Sequence, residues 1–294
     1  MTSDLDIANQ IAARVEHFVR DTVIPYEQDA RCGEHGPSDD LVQELRGLAR
    51  DAGVLTPHIL QDGTHLTQAG TARVLIKAGL SHLGMLATNV MAPDEGNMFL
   101  LGRAATSEQK SRFLNPLVDG TARSAFFMTE PAVEGGAGSD PSMLQTTARR
   151  DGNQWLINGR KAFITGAVGA KVGIVMAMAE EGATLFLVDL PNPAIRIDRI
   201  LDTIDSSMPG GHAIVDIDNL RVPAEQILGD AGRGFQLAQI RLAPARLSHC
   251  MRWTGMAHRA QEVATAYACT RKAFGQLLIA VSYTHLTLPT NREV

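Results

Sequence analysis

The residues with chemical potential fall in a few short runs. Residues 126–131 read Phe126-Phe127-Met128-Thr129-Glu130-Pro131, and the small-residue loop Gly138-Ser139-Asp140 follows. Small residues there would let backbone amides approach an anion. Further on lie Asn158-Gly159-Arg160-Lys161-Ala162-Phe163-Ile164-Thr165-Gly166, Asn219-Leu220-Arg221-Val222-Pro223, Arg246, and Arg271-Lys272-Ala273-Phe274-Gly275. A planar guanidinium grips phosphate in two places, which an ammonium cannot do. Each residue also has a plainer role open to it. Thr129 can be an ordinary strand threonine, Phe163 a core aromatic and Ser139 part of a surface loop. Arg246 can face solvent on a helix, and Arg271 can complement a helix C-terminus.

Several familiar chemistries are missing. No G-x-G-x-x-G follows a strand and no G-x-x-x-x-G-K-[ST] occurs, so the two common phosphate loops are absent. No G-x-S-x-G supports a serine nucleophile. The nine histidines are dispersed, which gives no metal signal. The formal charge is −5 with no basic run, which argues against a nucleic-acid partner. No apolar stretch is long enough to span a bilayer, and no signal-peptide pattern opens the chain. Cys32, Cys250 and Cys269 form neither a disulfide framework nor a zinc pattern. They are expected to be buried small apolar residues in a reducing cytoplasm.

The elements that would position these residues come in three blocks. At 294 residues with 45 % apolar content, more than one domain is expected. Ala8, Ile11, Ala12, Val15, Phe18 and Val19 recur at helical spacing, with Pro25 closing the segment. Ser38 caps a second helix that buries Leu41, Leu45, Leu48 and Ala52. A third runs from Thr67 to Gly79, and a capping box at Thr106 and Gln109 opens a fourth. From Ser124 the period changes to strands: 125–128, 146–150, 154–165, 173–179, 184–190 and 213–217, with Asp151-Gly152-Asn153 as a hairpin turn. Helices do not alternate with them, so a doubly wound sheet is excluded. After Pro223 helical spacing returns, with Leu247, Met251, Ala257, Ala260, Ala264 and Tyr267 on one face of a long helix reaching past Arg271. The fold class is α+β and multi-domain. An N-terminal all-helical domain covers 1–122, a central β-barrel-like domain 123–230, and the incomplete start of a C-terminal helical bundle 231–281. Residues 282–294 lose the helical spacing and contain Pro289. This segment resembles translated sequencing-adapter read-through and is expected to be a non-native tail; a genuine C-terminal strand is the other reading.

Taken in order, the runs quoted above resemble the acyl-CoA dehydrogenase family over nearly the whole chain, to about Leu278. The resemblance implies FAD between the β domain and the C-terminal bundle, with an acyl-CoA against the flavin. It implies α-proton abstraction by a carboxylate, with β-hydride transfer to the flavin. Met128 and Thr129 then meet the flavin pyrimidine edge, and Phe163 and Thr165 flank the ring. The family more often carries Trp where Phe163 stands, so the flat apolar face is kept and an indole N–H is lost. Ser139 and Arg246 fall at the CoA side, although residues 132–135 lengthen the loop before Ser139 relative to the family. Arg271 and Phe274 match a segment that reaches the FAD of a neighbouring subunit, implying a homodimer or homotetramer.

The family's glutamate base stands at one of two places. The first corresponds to Ala245, which has no proton-accepting group, and the second lies beyond the point where this resemblance ends. No catalytic residue is therefore nominated. Glu130 belongs to the strand-end turn and Glu262 to a solvated helix face. The resemblance further implies an electron-transfer flavoprotein or similar acceptor. An oxidase or monooxygenase on the same fold, or a fragment that catalyses nothing, stand as alternatives.

Overall fold

The computed structural model describes residues 4–60, 62–132, 138–273 and 275–281. The expected tail, 282–294, and Phe274 lie outside the described residues. Helix α1 (Asp4–Phe18) buries Ala8, Ile11, Ala12, Val15 and Phe18. Pro25 does not close this segment. A π-turn (Val19–Val23) and a 3-10 turn (Ile24–Gln28) prolong it, with Pro25 in the first turn of the latter, where its missing N–H costs little. Ser38 and Thr67 accept from the amides of Leu41 and Gly70, capping α2 (Asp39–Asp51) and α3 (Gln68–Ala78). Ala52, expected inside, lies just beyond α2 and is exposed. α4 (His82–Ala87) and α5 (Asp94–Ala104) follow, neither marked by the helical spacing of the sequence. The capping box at Thr106 and Gln109 opens α6 (Ser107–Gln109), which runs through a π-turn (Lys110–Leu114) into α7 (Asn115–Val118).

The middle of the chain forms one mixed sheet. Its strands are β1 (Ser124–Phe127), β2 (Thr147–Asp151), β3 (Gln154–Thr165), β4 (Val172–Ala179), β5 (Gly182–Asp189), β6 (Ile195–Leu201), β7 (His212–Pro223) and β8 (Ile227–Leu228). The order is β8-β5-β4-β2-β3-β7-β6, with β1 parallel to β4. A single pair, Thr147 with Met178, joins the two halves. Both halves close on a shared core that holds Phe127, Val175 and Phe186 from one and Trp155, Ile157 and Val215 from the other. The opposite side of β4 and β5 is also covered. Ile174, Met176, Leu185 and Leu187 pack with Met98 and Leu101 of α5 and with Phe113. Burial on both faces explains why β4 reads as a continuous apolar run.

After β8 comes α8 (Gly234–Thr270), which ends at Thr270 rather than past Arg271. Its buried stripe is largely small or polar: Ala238, Arg241, Ala245, Ser248, Arg252 and Gly255. Gly255 and Gly79 permit a close crossing with α3, since a Cβ on Gly255 would stand 2.1 Å from the Ile76 carbonyl oxygen. The larger apolar side chains point outward. Leu247 is 51 % exposed, Trp253 65 % and Tyr267 58 %. Cys250 and Cys269 lie on exposed parts of the same helix and Cys32 is half-buried, so none of the three is the buried residue expected.

A buried polar chain ties the helical layer, the sheet and α8 together. Arg46 of α2 pairs with Asp94 of α5 at 3.1 Å and donates to the carbonyls of Leu86, Gly120 and Ala122. Asp94 accepts from the amide and hydroxyl of Ser124, both at 2.6 Å. Asn97 donates to the Ser124 hydroxyl at 2.8 Å and accepts from Nε of Arg241 at 2.6 Å. Buried groups of this kind hold position because each would lose its partner on any shift. Here they fix where β1 begins and where α8 lies against it.

Candidate functional site

β1, the end of β3 and the first turns of α8 meet at one pocket of about 410 Å³. Met128, Thr129, Ser139, Phe163, Thr165 and Arg246 all line it, so six of the residues singled out from sequence are brought together. Phe126, Pro93, Arg241 and Leu242 complete the lining, and none of the lining residues is acidic.

The tip of β1 is held by an internal ion pair. Glu130 accepts from the Thr146 hydroxyl at 2.5 Å, from the amides of Gln145 and Thr146, and from Nζ of Lys161 at 3.0 Å. Lys161 has no exposed side-chain surface and also donates to the Met128 carbonyl at 3.2 Å. Burial pushes the Lys161 ammonium down to about 8, partly offset by Glu130. Burial alone would raise Glu130, but the Lys161 charge and the Thr146 and Gln145 donors bring it below the ordinary glutamate value. Glu130 is therefore a saturated structural carboxylate of the strand-end turn. The carbonyl of Thr129 accepts from the Ala162 amide at 2.9 Å, which locks β1 to β3. The Thr129 hydroxyl has no protein partner among the described residues, and Thr129 lines the pocket.

Phe163 is not a core aromatic. Its φ is +54°, in the left-handed region that a bulky residue seldom occupies. The register between β3 and β7 shifts between Lys161 and Ile164, so a bulge turns Phe163 away from the core, where it stays 62 % exposed. An exposed aromatic held in a strained backbone is a common signature of a ligand surface. Two residues on, the Thr165 hydroxyl lies 2.9 Å from Nδ1 of His212, its cross-strand neighbour, whose Nε2 is 3.4 Å from Asp205. His212 stands in the run Gly210-Gly211-His212, but its contact with Thr165 emerges only through the strand pairing; Arg241 carries no sequence signal and emerges only through the packing of α8 on α5.

Ser139 is exposed at the mouth, after Gly138 with φ +54°, and Asp140 caps Ser142 at 2.9 Å. Residues 133–137 of the longer loop lie outside the described residues. Arg246 is exposed and makes no ion pair among the described residues. Ala245 is 8 % exposed and packs against α5 near Gly96. Arg271 is not brought to the pocket. It follows the end of α8 and its amide donates to the Tyr267 carbonyl. Arg221 of β7, in the run at 219–223, pairs with Asp151 at the end of β2 at 2.6 Å and serves the sheet. Glu262 is not simply solvated, since it receives two bonds from Arg20 at 2.8 and 2.9 Å.

Residues 125–209 match the acyl-CoA dehydrogenase middle domain, and residues 232–288 match the acyl-CoA dehydrogenase C-terminal domain. The second match extends past residue 282. A Mycobacterium tuberculosis relative named as an acyl-CoA dehydrogenase, FadE2, is 38 % identical over 83 % of this chain and 62 % of its own length. Acyl-CoA dehydrogenase family member 11 of Gallus gallus is 32 % identical over 92 % of this chain and 37 % of its own. The chain thus spans less than two thirds of these relatives. A Mycobacterium abscessus structure assigned to the acyl-CoA dehydrogenases superposes with a TM-score of 0.82, at 33 % identity, covering 94 % of this chain and 73 % of that one. The glutaryl-CoA dehydrogenase of Mycobacterium smegmatis, solved with FADH2, gives 0.79 at 28 % identity, covering 94 % and 69 %. The chain belongs to the acyl-CoA dehydrogenase family, and its α+β fold, with helices, a mixed sheet and a further helix, is that of the family.

Proposed function

We propose that this chain is the larger part of an FAD-dependent dehydrogenase that oxidises an acyl-CoA thioester to its 2,3-enoyl product. The observation that carries this reading is the pocket that joins an unpartnered hydroxyl, a strained exposed aromatic and two arginines. The residues present suit a flavin. Phe163 offers a flat apolar face, Thr129 a free hydroxyl at a strand tip, and Thr165 a hydroxyl oriented by His212. When bound, FAD would supply the hydride acceptor. Thr165 would then hold a hydrogen bond toward the ring where charge builds. The tip fixed by Glu130 and Lys161 would hold Met128 and Thr129 in register, which is the positional part of catalysis.

Ser139 and Arg246, at the mouth, would meet the CoA phosphates, with Arg246 as the bidentate partner. Among the described residues the pocket holds no carboxylate, and Asp94 and Glu95 are engaged by Arg46, Ser248 and Arg252. The proton-abstracting base is therefore assigned to a further part of the protein, and the 294 residues alone are proposed to be inactive. Arg271 and Phe274 are assigned to the flavin of a second copy, making the working form a homodimer or homotetramer. Electrons would pass on to an electron-transfer flavoprotein or similar acceptor, in the cytoplasm.

The test is to purify the complete protein and titrate it with acyl-CoA anaerobically. Stoichiometric flavin whose absorbance bleaches on addition supports the reading. Flavin-free protein, or flavin unaffected by any acyl-CoA, defeats it.

A further inference from the structure

Among the described residues four arginines are buried: Arg46, Arg123, Arg241 and Arg252. Three have carboxylates. Arg46 pairs with Asp94 at 3.1 Å, Arg123 with Asp39 at 2.6 Å, and Arg252 lies 3.8 Å from Glu95. Arg241 has no described carboxylate within ion-pair distance. Its Nε donates to Asn97, and its guanidinium sits 4.2 Å from the centroid of the Phe126 ring. Both Nη groups lack a hydrogen bond to any described residue, yet the side chain is 8 % exposed and lines the pocket.

A charge this deeply placed with no carboxylate beside it is costly. Burial lowers the Arg241 guanidinium to about 10, with Glu95 and Asp94 opposing, so it stays protonated at neutral pH. The orientation is also set. Asn97 is itself held by Ser124, so Nε is committed and the two Nη donors form the free end of the fork. An end-on fork with two parallel donors matches an anionic group.

We propose that Arg241 is an anion-binding residue of this pocket, and that the acyl group handled here carries a negative charge remote from its thioester. The inference rests on the acyl-CoA reading and narrows its substrate class. The phosphates of CoA are the other source of anionic oxygen. Arg246, at the exposed mouth, is the residue placed for those.

The test uses the complete flavin-loaded protein and equilibrium binding by calorimetry. Succinyl-, glutaryl- and adipoyl-CoA are compared with butyryl-, valeryl- and hexanoyl-CoA, each pair matched in length. At the length that fits, the carboxylated ligand should bind about tenfold or more tightly than its neutral partner. That ratio should collapse toward one in Arg241→Met and be partly kept in Arg241→Lys. The wild-type comparison needs no variant, so a misfolded Arg241→Met would leave the test standing. Equal affinities at every length, or a variant that weakens free CoA and all acyl-CoAs alike, would overturn the proposal. So would loss of flavin from Arg241→Met with the ligand ratio unchanged. Neutral ligands that bind and bleach the flavin would then leave the dehydrogenase reading intact. Failure of every acyl-CoA to bind would instead defeat that reading, and this inference with it.

Discussion

Replacing Glu130 by Gln isolates the ion pair that anchors the flavin-side strand tip. The change keeps the shape and removes the charge. Lys161, which has no exposed surface, then loses the carboxylate that opposes its burial and keeps the Met128 carbonyl as a neutral acceptor. Breaking one side of a buried pair costs up to about 3–5 kcal/mol, because the partner must either stay buried and uncompensated or give up its proton. Urea denaturation followed by the fluorescence of Trp155, 1 % exposed in the β core, reads this loss directly. A Trp253→Phe background removes the other, exposed indole. The double variant Glu130→Gln, Lys161→Met should recover most of the stability, since no unpaired charge remains. Flavin affinity should fall in the single variant, because Met128 and Thr129 lose their fixed register. A single-variant cost below about 1 kcal/mol, or a double variant as unstable as the sum of the singles, refutes the reasoning.

The same pair sets a pH dependence. The Lys161 ammonium is depressed to about 8 in the folded chain and lies near 10.4 when unfolded. Between those values the unfolded chain binds more protons, so wild-type stability should rise with pH relative to Lys161→Met, by up to about 3 kcal/mol. Parallel curves for the two proteins from pH 7 to 10 would contradict this. Phe163→Gly should stabilise the flavin-free protein by about 1 kcal/mol by releasing the φ of +54°, while weakening flavin binding. Denaturation of the apoprotein and flavin titration measure the two effects separately. Thr129→Val should alter stability by less than about 0.5 kcal/mol, since the hydroxyl has no partner among the described residues, yet reduce flavin affinity about tenfold; unchanged affinity would make Thr129 an ordinary strand residue. The 294-residue chain alone should self-associate through Leu247, Trp253 and Tyr267, and Trp253→Lys with Leu247→Lys should lower its light scattering.

The sequence by itself carried the three-block order of helices, strands and helix, because the apolar period changes near Ser124 and changes back after Pro223. It also carried the residues of the strand tips. Met128, Thr129, Phe163 and Thr165 lie in short runs whose order is specific, and the fold brings all four to one pocket. Periodicity failed where a buried surface is not apolar. α5 carries no helical period, because Asp94, Glu95 and Asn97 are buried beside Met98 and Leu101 and leave no apolar stripe. α8 read inside out, since its inner stripe is Arg241, Ser248 and Arg252 and its larger apolar residues face outward. Phe163 could be taken for core because a bulge leaves no trace in alternation. Most of all, a charge's lack of a partner is a property of space. Arg241 looks like any helical arginine until Asp94, Glu95 and Asp39 are each seen to be held by another group.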